Sequence, residues 1–198
     1  MKYIHFFVLI LIINISVFSQ DNSGNRDISD YYFPQNSFSE RDDQDAFRQS
    51  WYGKHLDVLD NGNRIFKNNF NIIRFTCLRT FHRPFSIKIL WDKDNAKLVY
   101  SMSNGAGGYS AGELIHHFEK ELKKRQINNL LRRLKLFNFF NRPSVNDYSG
   151  FDGSRWIIEV SLNGKYKVID RWTPRIGMAS NIGRYIIKLS GEKIEDLY

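Results

Sequence analysis

Cysteine and proline are scarce in this sequence of 198 residues, which contains one cysteine and four prolines. A single cysteine, Cys77, excludes an intramolecular disulfide and a zinc site built from cysteines alone. The fold must therefore depend on its apolar core, and a content of 42% hydrophobic residues is enough for one domain of this length. Basic residues exceed acidic ones by 29 to 21, a net charge of +8. That balance suits either an anionic surface or ligand, or a well-solvated exterior.

Long apolar runs are also missing, except for residues 6–18 near the start of the chain. This run of 13 residues is shorter than the roughly 20 apolar residues that a membrane-spanning helix needs. Lys2 precedes it, and Val17 and Ser19 have the spacing of a signal-peptidase site. We therefore expect a signal peptide over residues 1–19, and a periplasmic or secreted protein whose mature chain has no transmembrane segment. The alternative is that residues 1–19 are retained as a membrane anchor. Loss of Lys2 would leave a net charge of +7.

The rest of the chain divides into two parts. Residues 20–38 are rich in Asp, Asn, Ser and Gly and predict a flexible leader. Residues 39–198 predict a single domain. Within it, a capping-box-like Ser39-x-x-Asp42 begins a helix that we expect to end near Asn61. Its apolar residues at helical spacing are Phe47, Trp51, Val58 and Leu59.

Alternating patterns predict an antiparallel sheet. The alternating apolar residues are Ile73, Phe75 and Cys77, then Phe85, Ile87, Ile89 and Trp91, then Leu98, Tyr100 and Met102. The clearest signal is Asn163-Gly164 between the β-rich runs 155–162 and 165–172, because Asn-Gly favours a two-residue type I′ turn. Residues 113–119 fit either a strand or the beginning of a helix.

Two further helices are indicated by apolar residues at helical spacing. One contains Ile127, Leu130, Leu131, Leu134 and Phe137, and the other contains Met178, Ile182, Tyr185, Ile186 and Leu189. Pro143 follows the first and Gly191 has the position of a C′ residue after the second. The whole predicts an α+β fold, with an antiparallel meander sheet of about five or six strands and two or three packed helices.

Residues 108–112 match the G-x-S-x-G pattern of a hydrolase nucleophile elbow, centred on Ser110. That mechanism needs a histidine from a distant loop later in the chain. The histidines that follow Ser110 are His116 and His117, which lie six and seven residues beyond it and would belong to the adjoining element. The same glycines lack the lysine and hydroxyl pair of a P-loop. A glycine-rich turn is therefore the prediction here.

The remaining reactive side chains are also interpreted structurally. His116 and His117 are neighbours that cannot converge on one metal ion, and His55 and His82 are isolated, so no metal or cofactor site is predicted. Cys77 lies on a buried strand face, which predicts an unreactive thiol. No catalytic, cofactor-binding or metal-ligating residue is assigned.

A set of basic residues is assigned to the middle predicted helix: Lys120, Lys123, Lys124, Arg125, Arg132, Arg133 and Lys135. A solvated face is the default interpretation of such a run, and contact with nucleic acid or a membrane is the alternative. In the Asn-Gly hairpin the register places Trp156 near Asp170 and Arg171. We expect Asp170 to pair with an arginine there.

The segments Gly150-Phe151-Asp152-Gly153-Ser154-x-Trp156 and Tyr166-x-Val168-x-Asp170-Arg171-Trp172-x-Pro174 resemble a group of uncharacterised small exported bacterial proteins. The resemblance covers about the last quarter of the chain and implies a domain type, with no site residue. The sequence predicts an exported, soluble, non-enzymatic binding or structural module of the cell envelope. The alternative is a hydrolase whose carboxylates or histidines are brought together by the sheet.

Overall fold

The computed structural model describes residues 31–146 and 150–198 and shows an α+β fold with an antiparallel sheet. The predicted signal peptide, residues 1–19, lies outside the described residues. The helices are α1 (Asp42–Asp60), α2 (Lys124–Leu136) and α3 (Gly177–Ser190). The strands are β1 (Asn71–Arg79), β2 (Phe85–Trp91), β3 (Ala96–Ser103), β4 (Leu114–Glu121), β5 (Ser154–Leu162) and β6 (Lys165–Trp172). No helix in the described part of the chain is long and apolar enough to cross a membrane.

The six strands follow the order β4-β3-β2-β1-β5-β6, and every neighbouring pair is antiparallel. The sheet is meander-like, as predicted: β1 to β4 form a meander, and the β5–β6 hairpin joins it beside β1. Of the ambiguous residues 113–119, all but the first belong to strand β4. At one edge of the sheet, the Asp170 amide of β6 donates to the Ser144 carbonyl at 2.7 Å, so a neighbouring segment covers that strand. At the other edge β4 is exposed, and the register shifts so that Ile115 has no partner on β3.

One face of the sheet packs against α2 and α3 and forms the larger core. The alternating residues predicted from the sequence point into it, and the helices contribute Ile127, Leu130, Leu134, Ile182 and Ile186. Cys77 is completely buried in this core, as predicted. Burial raises the pKa of its thiol to about 12. The thiolate is therefore suppressed at neutral pH, as expected for a cysteine that acts as a small apolar side chain.

The opposite face of the sheet packs against α1 and against residues 31–38. The prediction that 20–38 form a flexible leader is wrong for its last residues, because Tyr32, Phe33 and Phe38 are buried in a second core with Tyr52 of α1. These aromatic rings bury enough apolar area to offset the entropy of ordering the segment.

Helix α1 ends at Asp60, as predicted, but it begins at Asp42 with Arg41 as its N-cap, so the capping box predicted at Ser39 is wrong. The helix also presents a different face to the sheet. Phe47, expected on the buried face, is 65% exposed, whereas Asp45, Gln49 and His55 are buried. Asp45 accepts hydrogen bonds from the amides of residues 36 and 38, and Gln49 bonds to the backbone of residues 33 and 34. The buried face of α1 is therefore partly polar because it holds an irregular segment by its backbone groups.

The β5–β6 hairpin has the predicted register, in which Leu162 lies opposite Lys165 and Trp156 opposite Arg171. Asn163 and Gly164 have φ angles of 51° and 73°, as a type I′ turn requires. Space is open around the position of a Cβ at Gly164. Backbone strain alone should therefore set the effect of a substitution there.

We expect Gly164→Val to lower the free energy of unfolding by about 1–3 kcal/mol, because a β-branched side chain is poorly suited to positive φ. Urea denaturation monitored by tryptophan fluorescence measures this change. Lys165→Val, one residue further on in the strand, serves as the control and should be close to neutral. Unchanged stability in Gly164→Val would contradict the turn assignment.

Candidate functional site

The outer surface of α2 and α3 is the candidate site, and the same periodicity that builds the core produces it. In α2 the residues Ile127, Leu130 and Leu134 face the sheet. Between them lie Leu131, which packs partly against the core, and basic or amide-bearing residues on the outer side of the helix. Arg133 and Lys135 lie in the last turn, where cations are stabilised by the partial negative charge of the helix C-terminus.

Helix α3 lies beside α2, so the two helices form one layer. The Tyr185 hydroxyl donates to the Gln126 carbonyl at 3.2 Å, and the guanidinium of Arg133 lies 4.3 Å from the centre of the Tyr185 ring. A cation at that distance is attracted to the ring face. Arg184 and Lys188 are exposed on α3, on the polar side of the same layer.

No acidic residue is present in the two chain segments that contain these helices. Residues 122–146 hold seven basic residues and residues 171–191 hold four, and neither segment contains Asp or Glu. The remainder of the chain has the other 18 basic residues and all 21 acidic ones. The net positive charge of the protein therefore resides entirely in the segments that carry the α2–α3 layer.

The cations of this layer form no ion pair with a carboxylate of the described residues. Where they bond within the protein, they contact neutral oxygens: Arg132 donates to the Asn129 side chain at 3.2 Å and Arg184 to the Ser180 hydroxyl at 3.1 Å. Cations on the sheet differ, since Arg74 and Arg155 each contact a buried carboxylate. The positive charges of the α2–α3 layer are therefore solvated, or available to bind an anionic partner.

The predicted basic set is only partly brought together. Lys124, Arg125, Arg132, Arg133 and Lys135 lie in α2, and Lys123 is its N-cap. Lys120, however, belongs to β4 and donates to the Ser190 carbonyl at the end of α3. Assigning Lys120 to the helix was therefore wrong.

The G-x-S-x-G loop is a closed turn, as predicted from its glycines. The amides of Gly107 and Gly108 donate to the carbonyls of His82 and Thr80, both at 3.1 Å, so these donors are already used within the protein. A Cβ on Gly107 would lie 2.5 Å from the Arg79 amide nitrogen, which explains the need for glycine. Ser110 is exposed and is not hydrogen-bonded to a histidine in the described residues.

The histidines occupy separate environments. His55 is buried in α1, and the His82 ring is hydrogen-bonded to the Tyr198 hydroxyl at 2.5 Å. On β4, His116 lies 3.6 Å from the Glu192 carboxylate. Its neighbour His117 contacts the Ser101 hydroxyl at 3.1 Å. No group of His, Cys, Asp or Glu side chains in the described residues has the arrangement of a metal site.

The predicted pairing of Asp170 with an arginine is confirmed. Arg155 lies 3.4 Å from the Asp170 carboxylate, and the Tyr52 hydroxyl of α1 donates to the same oxygen at 2.6 Å. Burial and the Asp170 charge raise the pKa of Tyr52 well above its usual value. Trp156 is buried and donates to the Ser154 hydroxyl at 2.9 Å. These groups tie α1 and the hairpin to the sheet.

The sequence analysis did not predict that α2 and α3 form one basic surface, because their contact depends on tertiary packing. The sequence does contain a sign of this surface, namely two long stretches without Asp or Glu. A comparison with protein-family models and with curated proteins finds no match for this chain. The resemblance of its hairpin segment to a group of exported proteins therefore stays a prediction.

Proposed function

We propose that this chain is an exported, non-enzymatic binding module that places its α2–α3 layer on an anionic surface of the cell envelope. The observation that carries the proposal is the absence of acidic residues from the segments forming this layer, while the rest of the chain is slightly acidic. A solvated exterior needs no such separation, since mixed charges serve solubility as well.

Packing supports a docking role for the layer. Its cations extend from two helices that are fixed to the same core, so they present charge on a rigid support. Each Lys or Arg close to an anionic membrane surface contributes about 1 kcal/mol of attraction. Several acting together are enough for reversible binding without a deep pocket.

The alternative function, a hydrolase that uses carboxylates, has less support than a binding module, because the buried carboxylates already have partners inside the protein. Glu159 lies 2.7 Å from Arg74 and accepts a hydrogen bond from Tyr166 at 2.9 Å, and Asp170 is held by Arg155 and Tyr52. Both carboxylates are completely buried. They neutralise arginines inside the protein, which is a structural role.

Replacing three cations of α2, Arg125, Arg132 and Lys135, with glutamine should weaken binding to vesicles of phosphatidylglycerol and phosphatidylcholine. At about 1 kcal/mol per cation, the loss should be on the order of 100-fold. Vesicle co-sedimentation at low salt measures the affinity. Binding of the unaltered protein should fall steeply as salt is added, since the attraction is screened.

A matched control removes three exposed cations elsewhere: Arg41, Lys67 and Lys165. This variant has the same net charge as the first and should bind much more tightly. Equal losses in both variants would show that only net charge matters, which contradicts a dedicated surface. Absence of binding by the unaltered protein to anionic vesicles would refute the lipid-surface form of the proposal.

A further inference from the structure

A second surface surrounds the glycine-rich loop between β3 and β4, at the end of the sheet where β1 and β3 finish. Exposed aromatic rings are concentrated there. Phe81 and Tyr109 are 57% and 62% exposed, and their rings are stacked with centres 5.9 Å apart. On the other side of the loop, Phe47 and Trp51 form a second pair, also 5.9 Å apart. Adjacent exposed rings mark an interaction site more often than isolated ones do.

The rings stand on a rigid support. The Trp51 indole donates to the Gly107 carbonyl at 2.9 Å, and the Lys54 ammonium donates to the Tyr109 carbonyl at 2.7 Å. The loop is thereby joined to α1, and its amides also join it to the segment that follows β1. Because its geometry is fixed before any ligand arrives, little conformational entropy is lost on binding.

A depression lies on each side of the loop. One, of about 270 Å³, is lined by Phe47, Trp51 and Lys54. The other, of about 520 Å³, is lined by Phe81 together with Arg83, Asn104 and Ser110. Each therefore combines a flat aromatic wall with hydrogen-bonding groups.

The charge at this end of the molecule differs from that of the α2–α3 layer. The depressions contain the cations Lys54 and Arg83. Two exposed carboxylates belong to neighbouring residues: Glu113, whose amide donates to the Asn104 side chain, and Asp196, which lies 3.5 Å from His82. Positive and negative groups are thus mixed, which disfavours a polyanion. An uncharged ligand with flat apolar faces and many hydroxyl groups fits these groups best.

We propose that the surface formed by Phe47, Trp51, Phe81 and Tyr109 around the loop binds a neutral glycan chain. The C–H faces of sugar rings pack on aromatic rings, and their hydroxyls bond to the amide, guanidinium and hydroxyl groups of Asn104, Arg83 and Ser110. Two depressions separated by a narrow loop suit a ligand made of successive rings. This site is independent of the α2–α3 layer.

A hexamer of N-acetylglucosamine is a suitable neutral probe. Titration of the ¹⁵N-labelled protein, followed by NMR, should give saturable shifts for the Trp51 indole and for the amides of residues 105–110. The double variant Phe81→Ala, Tyr109→Ala should lose affinity at least about tenfold, because two ring contacts are removed. Both residues are exposed, so folding should be preserved.

Phe70→Ala is the matched control, since Phe70 is 68% exposed and lies just before β1, at the opposite end of the sheet. It should bind the probe like the unaltered protein, as should the α2 variant lacking Arg125, Arg132 and Lys135. No saturable shift, shifts centred on α2 and α3, or an equal loss in Phe70→Ala would overturn the inference. So would loop shifts that follow protein concentration without the probe, since these would assign the surface to a second copy of the chain.

Discussion

Arg74→Met should destabilise the protein by about 3–5 kcal/mol, because it leaves a buried carboxylate without its cation. Arg74 is completely buried, with contacts of 2.7 Å to Glu159 and to Asp60. Burial acts to lower the pKa of Arg74, but the charges of Glu159 and Asp60 reverse this and raise it. Burial raises the pKa of Glu159 despite the arginine beside it. Urea denaturation at pH 7 measures the loss.

The double variant Arg74→Met, Glu159→Leu separates the loss of an ion pair from the loss of packing. Well-packed apolar residues often replace a buried ion pair at little cost. The double variant should therefore recover most of the stability lost by Arg74→Met. Asp60 keeps its contact with Lys88 in both proteins. If the double variant is as unstable as the single one, the charge left on Glu159 is not the cause.

Acidification from pH 6.5 to pH 4 should remove about 3 kcal/mol of stability through His55 alone. This side chain is completely buried, and a contact of its ring with the Gly107 backbone only partly offsets the effect of burial on its pKa. Burial, helped by the positive charge of Lys54, lowers the pKa of His55 from 6.5 to about 4. Between these values the unfolded chain binds a proton that the folded chain does not, so stability falls with pH. Above pH 6.5 both states are neutral and the contribution is constant.

His55→Leu should flatten this part of the stability profile, measured by urea denaturation at intervals from pH 4 to pH 7. The difference between the variant and the unaltered protein isolates His55 from other titrating groups. His117→Asn, at an exposed position on β4, should keep the original slope. A profile for His55→Leu as steep as the original would show that His55 is not the buried proton-binding group.

The elements with one apolar face were predictable from the sequence, because their periodicity records which side is buried. The strands around Phe75 and Ile87, the Asn163-Gly164 turn and the apolar stripe of α2 all follow this rule. Strand β4 does not. It is an edge strand exposed on both sides, so neither alternation nor helical spacing dominated in residues 113–119.

Failures of prediction were concentrated on the second face of the sheet. There the buried groups are polar as often as apolar, as Asp45, His55 and Arg74 show. Asp45 is held by backbone amides of an irregular segment, Arg74 by a carboxylate distant in sequence, and His55 by packing. Hydrophobic patterning does not reveal such partners. The two candidate surfaces could not be predicted for the same reason, since each is formed by elements that meet only in the folded chain.

The separation of charge between the α2–α3 layer and the rest of the molecule also makes the protein an electric dipole. In the field of an anionic surface such a molecule experiences a torque, and it turns its helices toward the surface before contact. Long-range attraction of this kind acts on the rate of encounter more than on the lifetime of the complex. Added salt should therefore slow association steeply while changing dissociation much less, as the field shrinks to a Debye length of about 8 Å at physiological ionic strength.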